Sequence, residues 1–362
     1  MWNQTIVSKT LGIDYPILQG PFGGGLSTVA LTASVSNSGG LGGYGAYTLS
    51  AADIFSIDRQ IRAATGKPYN LNLWVSDADA PSTEITDTQY ERAQAAFAGY
   101  FEALDIPFPE KPAPFQSRFQ NQLQAVLDIR PKVFSFMFGL LPPDVLEQCR
   151  RRNIKTIGAA TTLDEALALE NSGVDMILAS GFEAGGHRPS FLASAESSVT
   201  GTFALVQLIR ARVKIPVIAA GGIANGRGVA AALTLGADAV QMGTAFLACE
   251  ESGATSLHRD MLFSDQAKYT TLSKAFTGRL GRGIANRITK ELAGKEASIL
   301  PFPSQSAFMS SLRKAAIEQQ KRDMIYFWSG QIAPLLQYRN AAALMAALIG
   351  ETSDVFNRES VF

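Results

Sequence analysis

The stretch that decides the fold opens with Val174-Asp-Met-Ile-Leu-Ala179, continues with Ser180-Gly-Phe-Glu-Ala-Gly-Gly-His-Arg-Pro-Ser190 and leads to Phe203-Ala-Leu-Val-Gln-Leu-Ile-Arg210. Its first part has the composition of a buried strand, and its last part has the apolar spacing of a helix. The glycine-rich loop between them carries His187, one of only two histidines in the chain. Such a loop with a titratable imidazole suits a catalytic site at the mouth of an α/β barrel. The plainer alternative is a glycine turn with an incidental surface histidine.

This strand-then-helix unit recurs along the chain. Eight apolar segments have strand character, at 15–22, 40–47, 69–75, 133–139, 155–160, 175–181, 216–221 and 238–247. Helical patterns fill most gaps, at 27–38, 51–64, 142–151, 163–172, 203–212 and 226–235. Strict alternation with almost continuously apolar strands predicts a parallel sheet buried on both faces. Eight units in about 250 residues predict an α/β fold of the (β/α)8 TIM-barrel type, and a doubly wound sheet is the alternative.

The barrel pattern does not fill the whole chain. We expect residues 1–250 to form the barrel, with a long polar excursion over 76–125 that contains a helix at about 87–104. Residues 251–318 lose the strand-helix rhythm, which predicts a small, mostly helical second domain that covers the substrate. Residues 319–362 contain another helical stretch and are expected to complete the barrel.

The composition argues against several classes of protein. Lys plus Arg and Asp plus Glu both number 32 in 362 residues, so the formal net charge is zero and gives no electrostatic case for binding nucleic acid or an anionic membrane. The first residues lack a signal-peptide core, and no apolar run reaches about 18 residues, so we expect a cytoplasmic protein. Cys149 and Cys249 lie far apart without metal-ligand spacing, which predicts reduced thiols and no metal site.

Glycines follow the seventh and eighth predicted strands, in Ala219-Ala-Gly-Gly-Ile223 and Gln241-Met-Gly-Thr-Ala245. Glycine lets backbone N–H groups approach an anion closely, and these two loops form the phosphate site in many barrels. The alternative is a pair of tight turns and helix caps. Gly40-Leu-Gly-Gly-Tyr-Gly45 has the G-x-G-x-x-G spacing, but it lies inside the second predicted strand and not between a strand and a helix, which disfavours a Rossmann site.

Three further segments have residues that suit the wall of a binding site. Gln19-Gly-Pro-Phe-Gly-Gly-Gly25 ends the first strand with small residues that would let a flat ring lie against the backbone. Asn70-Leu-Asn-Leu73 alternates amides with apolar residues, so both amides can point into the barrel, where they need hydrogen-bond partners. Tyr326-Phe-Trp-Ser-Gly-Gln331 places aromatic residues beside Gly-Gln, for which core packing is the alternative.

Together these motifs resemble the nitronate monooxygenases, formerly called 2-nitropropane dioxygenases, which are FMN-dependent barrel enzymes related to FMN-dependent enoyl reductases. Glu183-Ala-Gly-Gly-His187 is the most specific string. The resemblance implies FMN as cofactor and His187 as the catalytic residue. The residues that it implies for cofactor binding are Pro21, Phe22, Gly23, Asn72, Ser180, Gly185, Gly222, Gln241, Met242, Gly243, Thr244 and Gln331.

The chain departs from the family pattern at three positions. The family usually has a flavin-contacting Gln where this chain has Ser180, and Met is frequent where it has Phe22. Pro189 follows Arg188, where the family commonly has Gly. Because Ser180 and Phe22 would border the pocket, these changes bear on the choice of substrate more than on the fold.

The resemblance implies oxidative denitrification of an alkyl nitronate, such as propionate 3-nitronate, to a carbonyl compound and nitrite with O2. A protonated His187 would bind the anionic nitronate, whereas a neutral one would remove the α-proton of a nitroalkane. One alternative is an NAD(P)H-dependent flavin reductase for an enoyl thioester or a quinone, and another is a flavin-binding module without turnover. A homodimer is also compatible with the sequence. His258 is expected to be structural.

Overall fold

Eight parallel strands close into a barrel within residues 1–75 and 84–359, which the computed structural model describes. Residues 76–83, the first part of the predicted excursion, lie outside the described residues. The barrel strands are β1 (Ile17–Gln19), β2 (Gly42–Gly45), β3 (Tyr69–Trp74), β4 (Val133–Met137), β5 (Lys155–Ala160), β6 (Met176–Ser180), β8 (Val217–Ala220) and β9 (Ala239–Met242). The short strand β7 (Gly186–His187) and the pair β10 (Thr270–Ser273) and β11 (Gly281–Ile284) form a separate sheet.

The order of the strands decides between a barrel and a doubly wound sheet. Neighbours in the large sheet run β1-β9-β8-β6-β5-β4-β3-β2, and a parallel bridge between Leu18 and Leu41 joins its two edges. A doubly wound sheet would leave both edges open and reverse its strand order in the middle. The TIM barrel predicted from the sequence is therefore confirmed.

Helices follow the barrel strands and cover the outside of the sheet. The helices are α1 (Ile6–Leu11), α2 (Val29–Asn37), α3 (Ala51–Ala64), α4 (Asp87–Ala103), α5 (Phe119–Ile129), α6 (Pro143–Arg151), α7 (Leu163–Ser172), α8 (Thr202–Arg210), α9 (Gly226–Thr234), α10 (Thr244–Leu247), α11 (Ser256–Leu262), α12 (Arg287–Glu291), α13 (Ser304–Phe308), α14 (Ser310–Glu318) and α15 (Ala341–Glu359). Within the described residues, no helix has both the length and the apolar character needed to span a membrane.

Local sequence signals fix where these helices begin and end. The Thr162 side chain accepts the N–H of Glu165 at the start of α7, and Gly173 ends that helix with a left-handed φ of 89°. Ser50 and Asp53 form a reciprocal capping box at the start of α3. Such caps satisfy backbone groups that a helix end leaves open. The observed limits of α3 and α7 accordingly match the predicted ones.

The eighth barrel strand is shorter than predicted. We expected strand over 238–247, but β9 ends at Met242 and α10 begins at Thr244. Because Thr244-Ala-Phe-Leu247 is short, apolar and fully buried, its sequence alone does not distinguish a buried strand from a helical turn. The correction places Gly243 and Thr244 where the chain leaves the barrel.

A second hydrophobic cluster lies beside the barrel core. It combines residues from 85–104 with residues from 254–333, and the rings of Phe97 and Phe101 in α4 each lie 5.4 Å from the ring of Phe308. We call residues 84–104 and 254–333 the cap. Met324 and Phe327 belong to this cluster, whereas α15 returns to the barrel and packs against α9 and α2. The cap is mostly helical, and it also contains the β10–β11 hairpin, which the sequence did not predict.

The loop after β6 enters the sheet of the cap. Strand β7 pairs antiparallel with β11, so that Gly281 lies opposite His187 and Arg282 opposite Gly186. The backbone N–H of Arg188 extends this contact by donating to the carbonyl of Leu280 at 2.9 Å. The residue singled out in the sequence is therefore held by the cap as well as by the barrel.

Candidate active site

A cavity of about 1020 Å³ lies between the cap and the carboxyl ends of the barrel strands. Its walls include residues at the ends of several strands, such as Trp74, Met137 and Ser180, together with Phe302 and Trp328 of the cap. This is the end of the barrel at which TIM-barrel enzymes carry their active sites. The volume is at the upper end of the usual range for ligand pockets, roughly 300–1,000 Å³, and suits a cofactor together with a substrate.

Most of the predicted site residues line this cavity. Those that do so are Pro21, Phe22, Gly23, Ser180, Gly185, His187, Gly222, Gln241, Gly243 and Thr244. They come from four strand ends that are distant in sequence, and the closed barrel brings them to one opening. Their individual roles stay predictions.

Asn72, Met242 and Gln331 lie outside the cavity lining of the described chain. Asn72 is 2% exposed and donates through Nδ2 to the Ser135 hydroxyl at 2.9 Å. Met242 is buried between the sheet and the surrounding helices, because residues of β9 alternate and Ala239 and Gln241 face the inside of the barrel. The Gln331 side chain is exposed, and its backbone N–H donates to the carbonyl of Glu183 at 3.0 Å. A direct cofactor contact of these three side chains remains a prediction.

One end of the cavity is walled by backbone. We call this the glycine end and define it by Gly20, Gly221, Gly222 and Gly243. Gly221 and Gly222 have left-handed φ values of 104° and 70°, which favour glycine. A Cβ added to Gly243 would come no closer than 3.9 Å to its nearest neighbour, the Phe22 ring, so this backbone is open to the cavity. Such a cradle of accessible peptide groups fits the phosphate of a flavin nucleotide.

A carboxylate lies next to the glycine end. The Glu183 side chain is 3.5 Å from the position that a Cβ on Gly222 would occupy. Its carboxylate accepts the backbone N–H of Thr202 at 2.8 Å and the Thr202 hydroxyl at 2.9 Å. These two donors at the start of α8 stabilise the negative charge and hold it in place.

Gly185 is required by a close crossing of two chain segments. A Cβ on Gly185 would lie 2.6 Å from the backbone N of Gly330, so no larger residue fits without displacing that segment. The N–H of Gly330 also donates to the Thr244 hydroxyl at 2.8 Å. The imidazole of His258 donates from Nε2 to the carbonyl of Trp328 at 2.9 Å. The sequence marked Gly185 and residues 326–331 separately but gave no sign that they touch.

His187 lies among aromatic side chains in the wall of the cavity. Its ring centroid is 4.9 Å from that of Trp328, 5.3 Å from that of Trp74 and 6.0 Å from that of Phe302. Tyr47 stacks on Trp74 with 4.2 Å between ring centroids. We call Tyr47, Trp74, Phe302 and Trp328 the aromatic wall, and all four line the cavity.

Thr277 of the cap makes a hydrogen bond with His187. The Thr277 hydroxyl lies 2.9 Å from Nε2 of His187 and 3.0 Å from the carbonyl of Arg279. A hydroxyl has one proton, so when it donates to that carbonyl it accepts from Nε2–H, and when it donates to Nε2 the proton of the imidazole is on Nδ1. In either tautomer this contact holds the ring of His187 against the cap.

His187 is a neutral and weakly basic group. Burial, and secondly the positive charge of Arg279, lower its pKa to about 3. At neutral pH the imidazole is therefore uncharged. Of the two roles that the sequence allowed, the protonated imidazole that pairs with an anion does not agree with this environment.

Two buried charges fix the His187 loop. Arg188 is 1% exposed and donates to the carbonyls of Gly181 and Ser198, each at 2.6 Å. Glu165 is fully buried and accepts the backbone N–H of Phe191 at 2.6 Å. Each charge is thus bound by groups of the same loop, which holds His187 in place. The sequence indicated neither role, because Arg and Glu side chains usually lie at the surface.

Comparison with known proteins agrees with this geometry. A sequence model of the family described as nitronate monooxygenase matches residues 4–351. The chain is 37% identical over 356 residues to a protein of Staphylococcus aureus (strain Newman) named "Probable nitronate monooxygenase", and the match covers 98% of this chain and 99% of that protein.

Solved structures show the same likeness in three dimensions. A nitroalkane oxidase from Streptomyces ansochromogenes superimposes with a TM-score of 0.88 and 32% identity, over 98% of this chain and 99% of that one. FabK from Thermotoga maritima gives a TM-score of 0.75 with 25% identity, over 99% of this chain and 98% of that one.

Proposed function

The chain belongs to the nitronate monooxygenase family, and from this premise we propose that it converts alkyl nitronates and O2 to carbonyl compounds and nitrite. The reaction balances when two nitronate anions and one O2 give two carbonyl compounds and two nitrite ions. Enzymes of this family are flavin-dependent oxidoreductases, and a bound flavin supplies the electron transfer that the side chains of the protein lack.

The observation that carries the proposal is the placement of His187 in the cavity wall against the rings of Trp74 and Trp328, where burial lowers its pKa to about 3. A general base works best when its pKa lies near the working pH. So weak a base is poorly suited to removing a proton from carbon. It therefore favours a substrate that arrives as the nitronate, from which that proton has already gone.

FMN is the flavin that we propose. The glycine end offers one cradle for a single phosphate. The G-x-G-x-x-G run from Gly40 to Gly45 lies mostly within strand β2, so it does not form the strand-to-helix turn that holds an adenine dinucleotide. Residues of the glycine end, with Ser180, Gln241 and Thr244, would hold the cofactor. Chromatography of the flavin released by heating tests this, and release of FAD would contradict it.

The function is tested with the flavin-loaded protein and matched pairs of substrates. Ethyl, propyl and butyl nitronates are compared with the corresponding nitroalkanes, and nitrite release and O2 consumption are measured at pH 7. We expect the nitronate of each pair to react at least tenfold faster. Equal or faster turnover of the nitroalkanes would contradict the role given to His187.

The likeness to FabK keeps a second function in view, an NAD(P)H-dependent flavin reductase for an enoyl thioester or a quinone. Assays of both reactions on the same protein preparation distinguish these two functions. Oxidation of NADPH without nitrite release from any nitronate would favour the reductase.

We also propose that the cap is the substrate-covering domain, since Phe302 and Trp328 of the cap line the cavity. The assignment of residues 1–250 and 319–362 to the barrel and 251–318 to the covering domain is a proposal, which the two hydrophobic clusters refine. Met324 to Phe327 pack in the cap, and the barrel resumes with α15. A cytoplasmic location and a homodimer stay predictions.

A further inference from the structure

The two nitrogens of the His187 ring face different surroundings. Nε2 lies 2.9 Å from the Thr277 hydroxyl, and a Cβ placed on Gly281 would lie 3.2 Å from the adjacent ring carbon, Cδ2. The Nε2–Cδ2 edge of the imidazole therefore faces the cap. Within the described part of the chain, Nδ1, on the opposite edge of the ring, has no hydrogen-bond partner. Because His187 lines the cavity, Nδ1 is the ring nitrogen left for a bound molecule.

The surroundings of His187 keep its ring uncharged. Burial, and secondly the positive charge of Arg279, lower its pKa to about 3, so at neutral pH the imidazole carries one proton. That proton resides on Nδ1 or on Nε2, and the two tautomers present different groups to the cavity. With the proton on Nε2, Nδ1 offers a lone pair, which repels an anion. With the proton on Nδ1, the ring offers an N–H donor, which binds an anion.

The Thr277 hydroxyl supports the second of these tautomers. The backbone N–H of Arg279 donates to its oxygen at 3.3 Å, so one lone pair of the oxygen is already occupied. The hydroxyl proton can then be donated to Nε2, in place of the carbonyl of Arg279 at 3.0 Å. The turn around Gly278 fixes the hydroxyl, because a Cβ on Gly278 would lie 2.5 Å from the backbone N of Phe302. Nε2 thus has a fixed partner that can act as its donor.

We propose that Thr277 is a positioning residue that donates to Nε2 of His187, so that the neutral imidazole presents Nδ1–H to an oxygen of the nitronate. The inference rests on the proposed function and specifies how an uncharged histidine holds an anionic substrate. A nitronate carries its negative charge on two oxygens, and a hydrogen bond to a charged acceptor is stronger than one between neutral groups. Both tautomers carry the same number of protons, so the ring stays neutral. A neutral histidine serves as a donor in this way in other barrel enzymes.

The tautomer is measured by 15N NMR of the flavin-loaded protein with labelled histidine. The chain has two histidines, and the signals lost in His187→Asn identify the ring of His187. Nitrate, a planar anion whose nitrogen also carries charged oxygens, replaces the reactive nitronate, and chloride at equal ionic strength is the reference. We expect Nδ1 to be protonated and Nε2 unprotonated when nitrate is bound. Protonation of Nε2 in that complex, or a failure of nitrate to bind, would overturn the proposal.

Variants of Thr277 test whether its hydroxyl acts through the imidazole. Thr277→Val removes the hydroxyl at similar size, so the Nδ1–H tautomer would leave a buried nitrogen without a partner. We expect the dissociation constant of nitrate, read from the flavin absorbance, and the KM of ethyl nitronate to rise about tenfold. Binding of neutral nitroethane should change less, and Thr277→Ser should restore the wild-type values. In a His187→Asn background, Thr277→Val should no longer change nitrate binding.

Other outcomes would assign Thr277 to packing alone. These are equal effects of Thr277→Val on nitrate and nitroethane, equal values for Thr277→Val and Thr277→Ser, or an undiminished effect in the His187→Asn background. Thr271→Val is the matched control, because it makes the same change in β10 of the cap, outside the cavity lining of the described chain. It should retain the wild-type affinity for nitrate.

Failure of the proposed function is distinguishable from failure of this role, because the NMR measurement and the nitrate titration need no turnover. If no nitronate releases nitrite but nitrate binding depends on Thr277 as stated, the positioning role stands and the proposed reaction falls. If nitronates react equally well in Thr277→Val and nitrate affinity is also unchanged, the reaction stands and the positioning role falls.

Discussion

The glycine end and the aromatic wall belong to the same cavity but are built in opposite ways. The glycine end consists of backbone at the ends of three barrel strands, and each of its glycines stands in a short motif. The aromatic wall consists of side chains from strand ends and from the cap, more than 250 residues apart between Trp74 and Trp328. The difference separates tasks: the barrel provides the general part of the site, and the cap and loops adapt it to a substrate.

The largest expected effect is at the glycine end. Gly222→Asp would add a carboxylate beside Glu183 and the proposed phosphate, where like charges cost several kcal/mol in a partly dry site. We expect purified Gly222→Asp to lack flavin. Gly222→Asn is the control, because Asn tolerates the left-handed φ and adds no charge. Equal flavin content in both variants would show that the phosphate lies elsewhere.

We expect low pH to remove the stabilising contribution of His258, which bonds to Trp328 of the aromatic wall. His258 donates to the carbonyl of Trp328, and burial lowers its pKa to about 4. The unfolded chain binds this proton near pH 6.5, so the contribution is full above that pH and is lost as the pH falls towards 4. Between pH 7 and pH 4 we expect the free energy of unfolding of His258→Gln to decrease by up to about 3 kcal/mol less than that of the wild type.

The measurement is the free energy of unfolding in urea between pH 4 and pH 7 for both proteins. Comparing the variant with wild type cancels the acid sensitivity of the carboxylates. Parallel curves for the two proteins would show that His258 does not couple to acid unfolding.

His187→Asn sharpens the comparison, because His187 lies among the rings of the aromatic wall. We expect flavin content to be unchanged, since the glycine end is on other strands. Turnover of nitronates should fall by ~10²-fold with the loss of the imidazole that positions the substrate, and the slower turnover of neutral nitroalkanes should fall by a similar factor, because so weak a base contributes little to proton removal. Nitrite release is measured at matched flavin content. A much larger loss for nitroalkanes than for nitronates would show that His187 removes the proton, and would contradict the role given to it.

The smallest expected effect is at Ser180, which lines the cavity where the family usually has Gln. One recovered hydrogen bond is worth ~0.5–1.5 kcal/mol, so Ser180→Gln should tighten FMN binding by up to about tenfold. Flavin fluorescence during titration of the apoprotein measures this. Abolished binding would mean that the pocket is shaped around serine.

The sequence predicted those parts of the molecule that depend on local pattern. The eight strands, the limits of α3 and α7 and the glycine loops follow from periodicity, caps and glycine placement, all within about ten residues. Contacts between distant segments could not be predicted in this way. The crossing of Gly185 by Gly330, the Thr277 contact to His187 and the position of Phe302 depend on where the cap docks, and no local pattern encodes that.

The pairing of β7 with β11 has a mechanical consequence. The imidazole of His187 travels with the sheet of the cap, although its chain leaves from the barrel. If the cap moved away as a rigid body, either His187 would leave the mouth of the barrel or the pairing of β7 with β11 would break. We therefore expect substrate to enter and product to leave through small movements of the 112–118 segment. This segment lines the cavity and lies outside any helix or strand. In this arrangement the cap would stay in place during turnover, and the opening to the cavity would lie at the 112–118 segment.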